Sequence, residues 1–271
     1  MSVQTEIDRI ITAVGAAYDA VEAKGGTAPA AQTIEGLAGA ISGIKSAPTT
    51  PYMEAEYVAV EDFDGNTSHY IKHAKLYNHT AIYMYEFTRQ DKLQNIDFSD
   101  ASNNITTIEE MAFNGALMNG MVLPNTISVL ARACFNSAYI TTLTIPPLVT
   151  VLPNSAFAYV QPVYNNETGE ELPVNIILPQ NLTKIGNNCF EGSFIKQITI
   201  PDTVTEIGDM AFIYCGQLAS ITCLAETPPV LEPNAFSSDT AGFTIKVPAA
   251  SVAAYKAADG WKDYASYIVA M

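Results

Sequence analysis

The sequence predicts an α+β repeat solenoid, in which short strands from successive coils form a parallel sheet. Three ladders of residues support this fold class, because they share a 22-residue period and one interval of 33 residues. The ladders are the prolines 124, 146, 179 and 201, the phenylalanines 113, 135, 157, 190 and 212, and the aliphatic residues 108, 130, 152, 185 and 207. An interruption shared by independent ladders indicates a structural repeat.

Two stretches show the repeating unit most clearly, LTIPPLVTVLPNSAF at 143–157 and ITIPDTVTEIGDMAF at 198–212. The alternation of Leu143, Thr144 and Ile145 predicts a short strand with one buried face. Proline ends this strand because it has no N–H to donate to a neighbour. One such unit cannot bury its own apolar side, so we expect neighbouring units to stack.

Four segments follow from the extent of the repeats. They are a helical attachment or oligomerisation segment at 1–46, an N-terminal β cap with a degenerate repeat at 47–104, the repeats at 105–242, and a C-terminal cap at 243–271. The longer interval places an 11-residue insertion around 161–173, QPVYNNETGEELP, which is polar and rich in turn residues. We expect a surface loop or hairpin there, with a functional or a neutral role.

The two caps have different patterns. Alternation around Asp64-Gly65 predicts a β-hairpin at 51–78, and 82–99 keeps an approximate repeat register through Ile82, Phe87, Leu93 and Ile96. At the other end, Val252, Tyr255 and Ala258 predict a helix from 249 to about 258. Gly260 is expected to stop that helix in the left-handed conformation. Trp261, Tyr264 and Ile268 are expected to cover the open end of the core.

The first 46 residues lie outside the repeat pattern and carry heptad-like apolar spacing on either side of Gly25-Gly26. The candidate oligomerisation residues are Ile7, Ile10, Val14, Val21, Ile34, Leu37, Ile41 and Ile44. Helices this short are marginal alone in water. We therefore expect them to pack on each other, on copies of themselves or on a partner.

Composition and charge exclude several classes of function. The chain has 271 residues, 48% of them hydrophobic, and a formal charge of −15. An acidic chain lacks the basic footprint that nucleic acid and anionic lipid require. The sequence shows neither a secretory signal pattern nor an apolar run long enough for a membrane span. We expect synthesis in the cytoplasm, or departure from the cell by another route.

No residue pattern indicates a catalytic, cofactor or metal site. Cys134, Cys189, Cys215 and Cys223 fall at repeat positions that suit small buried residues, without the C-x-x-C spacing of a zinc site. His69, His73 and His79 lie in an extended segment, where we expect a solvated or partner-facing surface rather than a metal site. The segment DFDGNTS lacks the bidentate Glu of a calcium loop, so a hairpin turn is the better interpretation.

The repeats resemble the BspA-like leucine-rich-repeat family, whose units end in I-G-x-x-A-F. The resemblance covers about 80–271, where VPAASVAAYKAADGWKDY (247–264) is similar to the segment that closes such proteins. It implies a curved solenoid with a parallel sheet and, for most members, a role as a bacterial surface protein or adhesin. Residues 1–46 are similar to the N-terminal segment of some phage tail-fibre or baseplate-associated proteins.

The exposed strand positions of successive units form the candidate binding face, Val122, Thr144, Ile177, Thr199 and Thr222. Solenoids commonly bind on a sheet face, although β-branched residues also simply suit strands. We expect a non-enzymatic phage tail or virion-associated protein that recognises a host cell or a neighbouring subunit. The alternative is a BspA-like adhesin at the bacterial cell surface. Expected partners are a protein or a cell-surface glycan receptor, with virion subunits or further copies of the chain at residues 1–46.

Overall fold

The computed structural model describes residues 50–61, 67–165, 167–236 and 242–271. The chain divides into two compact units, Met1–Pro51 and Tyr52–Met271. The predicted N-terminal helices and all eight candidate oligomerisation residues lie outside the described residues. The described strands and helices all belong to the second unit.

An antiparallel hairpin begins the second unit. It consists of β1 (Tyr52–Glu61) and β2 (Thr67–Tyr77), with an irregularity between Glu56 and Tyr57. Strand β4 (Asn95–Asp97) extends this sheet by pairing in parallel with β2. The predicted hairpin is therefore confirmed, while its turn at Asp64-Gly65 lies outside the described residues.

Each coil of the solenoid then contributes a two-residue strand five positions before its phenylalanine. These strands are β3 (Ala81–Ile82), β5 (Thr107–Ile108), β7 (Val129–Leu130), β10 (Val151–Leu152), β14 (Lys184–Ile185), β16 (Glu206–Ile207) and β18 (Val230–Leu231). They pair in parallel as β3-β5-β7 and as β10-β14-β16-β18. The second residue of each strand is buried.

A second set of short strands also pairs in parallel. It comprises β6 (Leu117–Met118), β8 (Tyr139–Ile140), β9 (Thr142–Thr144), β13 (Asn175–Ile177), β15 (Gln197–Ile200), β17 (Ser220–Cys223), β19 (Thr244–Val247) and β20 (Ile268–Ala270). Between β9 and β13, the insertion forms a small antiparallel hairpin of β11 (Val163–Tyr164) and β12 (Glu171–Leu172). A hairpin at this place agrees with the prediction for 161–173.

A stack of phenylalanine rings runs through the core. Its members are Phe87, Phe113, Phe135, Phe157, Phe190, Phe212 and Phe236. Successive ring centroids lie 5.0–5.7 Å apart, close to the spacing of neighbouring strands. Six of these residues also donate a backbone N–H bond of 2.7–2.9 Å to the carbonyl just before the next phenylalanine. Phe87 takes part in both the ring stack and this hydrogen-bond pattern, so the expected degenerate repeat is confirmed.

The backbone turn around each phenylalanine explains why the helical part of the predicted α+β class is not confirmed. The residues two positions before it have a left-handed backbone, and so do most residues two positions after it. The first set is Tyr85, Met111, Ala133, Ser155, Asn188, Met210 and Asn234, and the second is Arg89, Gly115, Ser137, Tyr159, Gly192 and Tyr214. Left-handed residues interrupt a right-handed helix. Among the described residues, the α-helix α1 (Val252–Ala257) lies outside the repeats.

The C-terminal cap differs from the prediction in two respects. The expected helix from 249 to about 258 is split into a 3₁₀ helix (Ala249–Ser251) and α1, and Ala258 is already extended. Gly260 has φ 78° and ψ −49°, so it does not stop α1 in the left-handed helical conformation but precedes a second 3₁₀ helix, Trp261–Tyr264. Ile268 belongs to β20, which continues the parallel sheet beside β19. Trp261 is fully buried, and its ring centroid lies 5.7 Å from that of Phe236, as expected of a cap residue.

Gly208 and Gly216 provide a matched test of coil spacing. A Cβ added to Gly208 would lie 2.7 Å from the backbone N of Asn187, whereas a Cβ on Gly216 would meet nothing within 4 Å. We expect Gly208→Ala to lower the free energy of unfolding by about 1–3 kcal/mol through overpacking. Gly216→Ala should change it by less than about 0.5 kcal/mol. Urea denaturation measures both, and equal effects would contradict tight backbone packing at Gly208.

Candidate binding groove

A depression on the second unit lies between the two hairpins and has a volume of about 1050 Å³. Val58 and Lys72 of the N-terminal hairpin form one wall, and Tyr164 of the insertion contributes to the other. Leu117 and Tyr139, from the paired strands β6 and β8, form part of the floor. The groove therefore combines segments that are far apart in the sequence and come together only in the solenoid.

A smaller depression of about 420 Å³ adjoins the groove and shares Asp91 and Tyr139 with it. Its lining includes Tyr70 of β2 and the exposed Arg89. Arg89 has a left-handed backbone with φ 56°, and its N–H donates to the carbonyl of Asn114 at 2.7 Å. This hydrogen bond holds the Arg89 backbone against the next coil, at the edge of the depression.

Charged groups in the groove are partly paired. The Lys72 ammonium lies 3.2 Å from the Glu56 carboxylate, and the Lys92 ammonium lies 3.4 Å from that of Asp91. Arg89 takes part in none of the ion pairs found among the described residues. Its guanidinium therefore remains available to an anionic group in this part of the molecule.

Tyr164 is held by its own hairpin. Its hydroxyl donates to the Glu171 carboxylate at 3.2 Å, and the negative charge of Glu171 raises the pKa of Tyr164 above its ordinary value. Tyr164 is 53% exposed, and Tyr139 on the floor is 38% exposed. The groove thus presents two solvent-accessible tyrosines, one on a wall and one on the floor.

The predicted binding face is a separate surface from this groove. Thr144 pairs with Ile177 and Thr199 with Thr222, while Val122 lies outside the strands and is 82% exposed. All five side chains reach solvent, but none lines the groove. In β19, Lys246 pairs with Thr222, so a charged residue follows this uncharged ladder.

Sequence reasoning missed the groove and a second exposed ladder. The ladder consists of the outer residues of the two-residue strands, Thr107, Val129, Val151, Lys184, Glu206 and Val230. Within it, Lys184 and Glu206 form a 2.6 Å ion pair. The available signal for the groove was Tyr139, an aromatic residue one period after Leu117 and one period before the start of the polar insertion at Gln161.

The histidines occupy two different environments. His69 is exposed and His73 lies 3.8 Å from Glu56, as expected of a solvated surface. For His79 that prediction is wrong, because the side chain is buried at 2% exposure. Its ring nitrogens lie 2.9 Å from the Tyr77 carbonyl and 2.8 Å from the Glu86 carboxylate. His79 therefore joins β2 to the first coil through hydrogen bonds.

No group of three or more His, Cys, Asp or Glu side chains among the described residues is arranged to hold a metal ion. No helix in the same ranges has the length and apolar character needed to cross a membrane.

All four cysteines are free and buried, which confirms their predicted role as small core residues. Burial raises the pKa of the Cys215 and Cys223 thiols to about 12, and the pKa values of Cys134 and Cys189 are raised as well. Thiols protonated in this way are poor nucleophiles.

We expect the four thiols to resist labelling by a disulfide reagent at pH 8 in the folded protein. Burial excludes the reagent and keeps each thiol protonated, whereas unfolding returns the thiol pKa to its ordinary value. Absorbance of the released reagent measures the reaction, and the same sample in denaturant serves as the control. Rapid labelling of a folded thiol would contradict the burial of these residues.

Comparisons with known proteins agree with the repeat architecture. Residues 80–174 and 170–253 match the model of the BspA type leucine rich repeat region, in six copies. A leucine rich cell surface protein from Faecalibacterium prausnitzii A2-165 is similar with a TM-score of 0.45 and 18% identity, over 76% of this chain and 72% of that chain. The pneumococcal vaccine antigen PcpA has a TM-score of 0.30 and 14% identity, over 69% and 63% of the two chains. No curated protein sequence matches. The family match covers more than half of the residues, so the chain belongs to the BspA type leucine rich repeat family.

Proposed function

We propose that this chain is a non-enzymatic recognition protein of a bacterial cell surface, which binds a protein or glycan receptor through its solenoid. The observation that carries the proposal is the groove of about 1050 Å³, walled by two hairpins that project beside the repeats. Loops and hairpins carried by a rigid scaffold are common positions for binding residues. The family resemblance, with its surface proteins and adhesins, supports the cellular location.

The lining of the groove supports binding rather than catalysis. Its ionisable residues include Lys72, Asp91 and Lys92, and each of these is paired with a carboxylate or an amine of opposite charge. Nucleophilic catalysis needs a nucleophile placed beside a general base. The described lining residues bring together no such pair, and the cysteines lie in the core.

We prefer the cell-surface alternative over a phage tail or virion role. The family match begins at residue 80 and does not extend to the first 46 residues, on which the tail resemblance rests. The attachment or oligomerisation role of 1–46 stays part of the proposal, supported by its heptad-like apolar spacing.

Surface display has a direct test in the producing bacterium. We expect an antibody against residues 52–271 to label intact cells, and external protease to remove that label. Permeabilised cells and a cytoplasmic protein are the controls for leakage. Label confined to permeabilised cells, or to sedimented phage particles, would contradict the proposal.

The role of the first segment has a separate test. The described hydrophobic core extends from Ile71 to Ile268. We therefore expect deletion of 1–46 to leave the melting temperature of the solenoid within about 4 °C, the shift that about 1 kcal/mol produces in a domain of this size. Light scattering of the full and shortened chains then measures oligomerisation. The role in assembly would be lost if both chains had the same oligomeric state.

A further inference from the structure

The shape of the groove favours an extended ligand. Its volume of about 1050 Å³ is at the upper end of small-molecule sites, which measure about 300–1000 Å³. The adjoining depression of about 420 Å³ continues it past Tyr139. A linear molecule that passes over this ring would occupy both depressions.

The tyrosines are contributed by three different elements. Tyr139 lies on the floor, Tyr164 on the insertion and Tyr70 on the N-terminal hairpin. A tyrosine offers an apolar ring face together with a hydroxyl. Such rings suit a ligand whose units each have an apolar face and a polar rim, as sugar rings do.

Polar side chains accompany the rings along the whole length of the site. Gln94, Asn119 and Asn165 line the groove, while Asn114 and Ser137 line the smaller depression. Amides both donate and accept hydrogen bonds, and a hydroxyl does the same. Several of these groups already bond within the protein: the side-chain oxygen of Asn119 accepts from Thr141, and Asn114 and Ser137 donate to Asn136. The hydrogen-bonding capacity that remains on the amides matches the repeated hydroxyls of an oligosaccharide.

The backbone hydrogen bonds at the floor of the groove disfavour a peptide ligand that would bind by adding a strand to the sheet. Peptides that bind in this way need a free strand edge. At the floor, the N–H groups of Leu117 and Tyr139 donate to Gln90 and Ala116, and the N–H of Gln94 donates to Lys72. Recognition here therefore depends on side chains.

Arg89 adds a charge preference at the far end of the site. Its exposed guanidinium has no ion-pair partner among the described residues. Arginine binds carboxylates with two parallel hydrogen bonds. An acidic sugar unit would provide a carboxylate for Arg89, although the net charge of −15 on the chain repels anions elsewhere.

We infer that the groove and its smaller neighbour bind a linear oligosaccharide with carboxylate-bearing sugar units, with Tyr139 under the chain and Arg89 on a carboxylate. The inference rests on the proposed recognition function and names its ligand class. It does not depend on where the protein is displayed, so the labelling of cells and the titration with sugars can fail separately.

Calorimetric titration of the full chain with hyaluronan hexasaccharide and hexagalacturonate tests the inference, with chitohexaose as the neutral probe. We expect at least one carboxylated probe to bind, and tighter than chitohexaose. Tyr139→Ala and Arg89→Gln should each weaken that binding at least tenfold. Tyr139→Phe keeps the ring and should lose less affinity than Tyr139→Ala. Tyr214→Ala alters a tyrosine that lines neither depression, and it should stay within threefold of the original affinity. Circular dichroism confirms that each variant is folded.

Several results would overturn the inference. No heat with either carboxylated probe would exclude the ligand class. If chitohexaose bound as tightly as the carboxylated probes, and Arg89→Gln left their affinity unchanged, the proposed contact between Arg89 and a carboxylate would be wrong. Displacement of the bound sugar by a hexaglutamate peptide would identify the site as one for acidic peptides. Unchanged affinity in folded Tyr139→Ala would place the ligand elsewhere.

Discussion

Each coil of the solenoid joins the next through a buried phenylalanine, whose ring stacks on its neighbour while its backbone N–H bonds to the following coil. The two contacts require the same distance of about 5 Å between coils, which is also the spacing of paired strands. The ring stack, the two sets of parallel strands and the 22-residue period therefore depend on one another. Because each coil contacts its neighbours alone, the ends of the stack need caps.

The same spacing explains the backbone of the turns. Residues such as Met111 and Ala133 adopt a left-handed conformation, which costs an L-residue about 1–2 kcal/mol. Their N–H groups donate to the next coil, Met111 to Arg132 and Ala133 to Asn154. These bonds offset the strain because a buried N–H without a partner is costly. The same bond recurs near the end of the stack, where Met210 donates to Pro233. A side-chain contact differs there: the amide oxygen of Asn154 accepts from the N–H of Asn187 in the next coil. The equivalent Asp209 is followed one coil later by Pro233, which has no N–H, and among the described residues one of its carboxylate oxygens is buried without a partner.

The groove is a consequence of two departures from the regular stack. The insertion projects a hairpin within the repeats, and the N-terminal hairpin projects before them. The floor between them retains the repeat, so the Tyr139 position follows that of Leu117 by one coil. A regular scaffold thus places two irregular hairpins beside one groove.

The sequence by itself determined the period, the buried phenylalanine and aliphatic ladders, the N-terminal hairpin, the insertion and the burial of the cysteines. All of these are read from spacing along the chain, because a repeat converts sequence interval directly into position in the core. The tertiary structure alone decided the burial of His79, the pairing of Ile268 as a strand residue, the left-handed turns and the groove. Each of these depends on contacts between segments distant in sequence, or on hydrogen bonds between coils that select a backbone conformation against local preference. Residues such as Tyr70, Arg89, Tyr139 and Tyr164 share no motif in the sequence, and only the winding of the chain places them around the groove and its smaller neighbour.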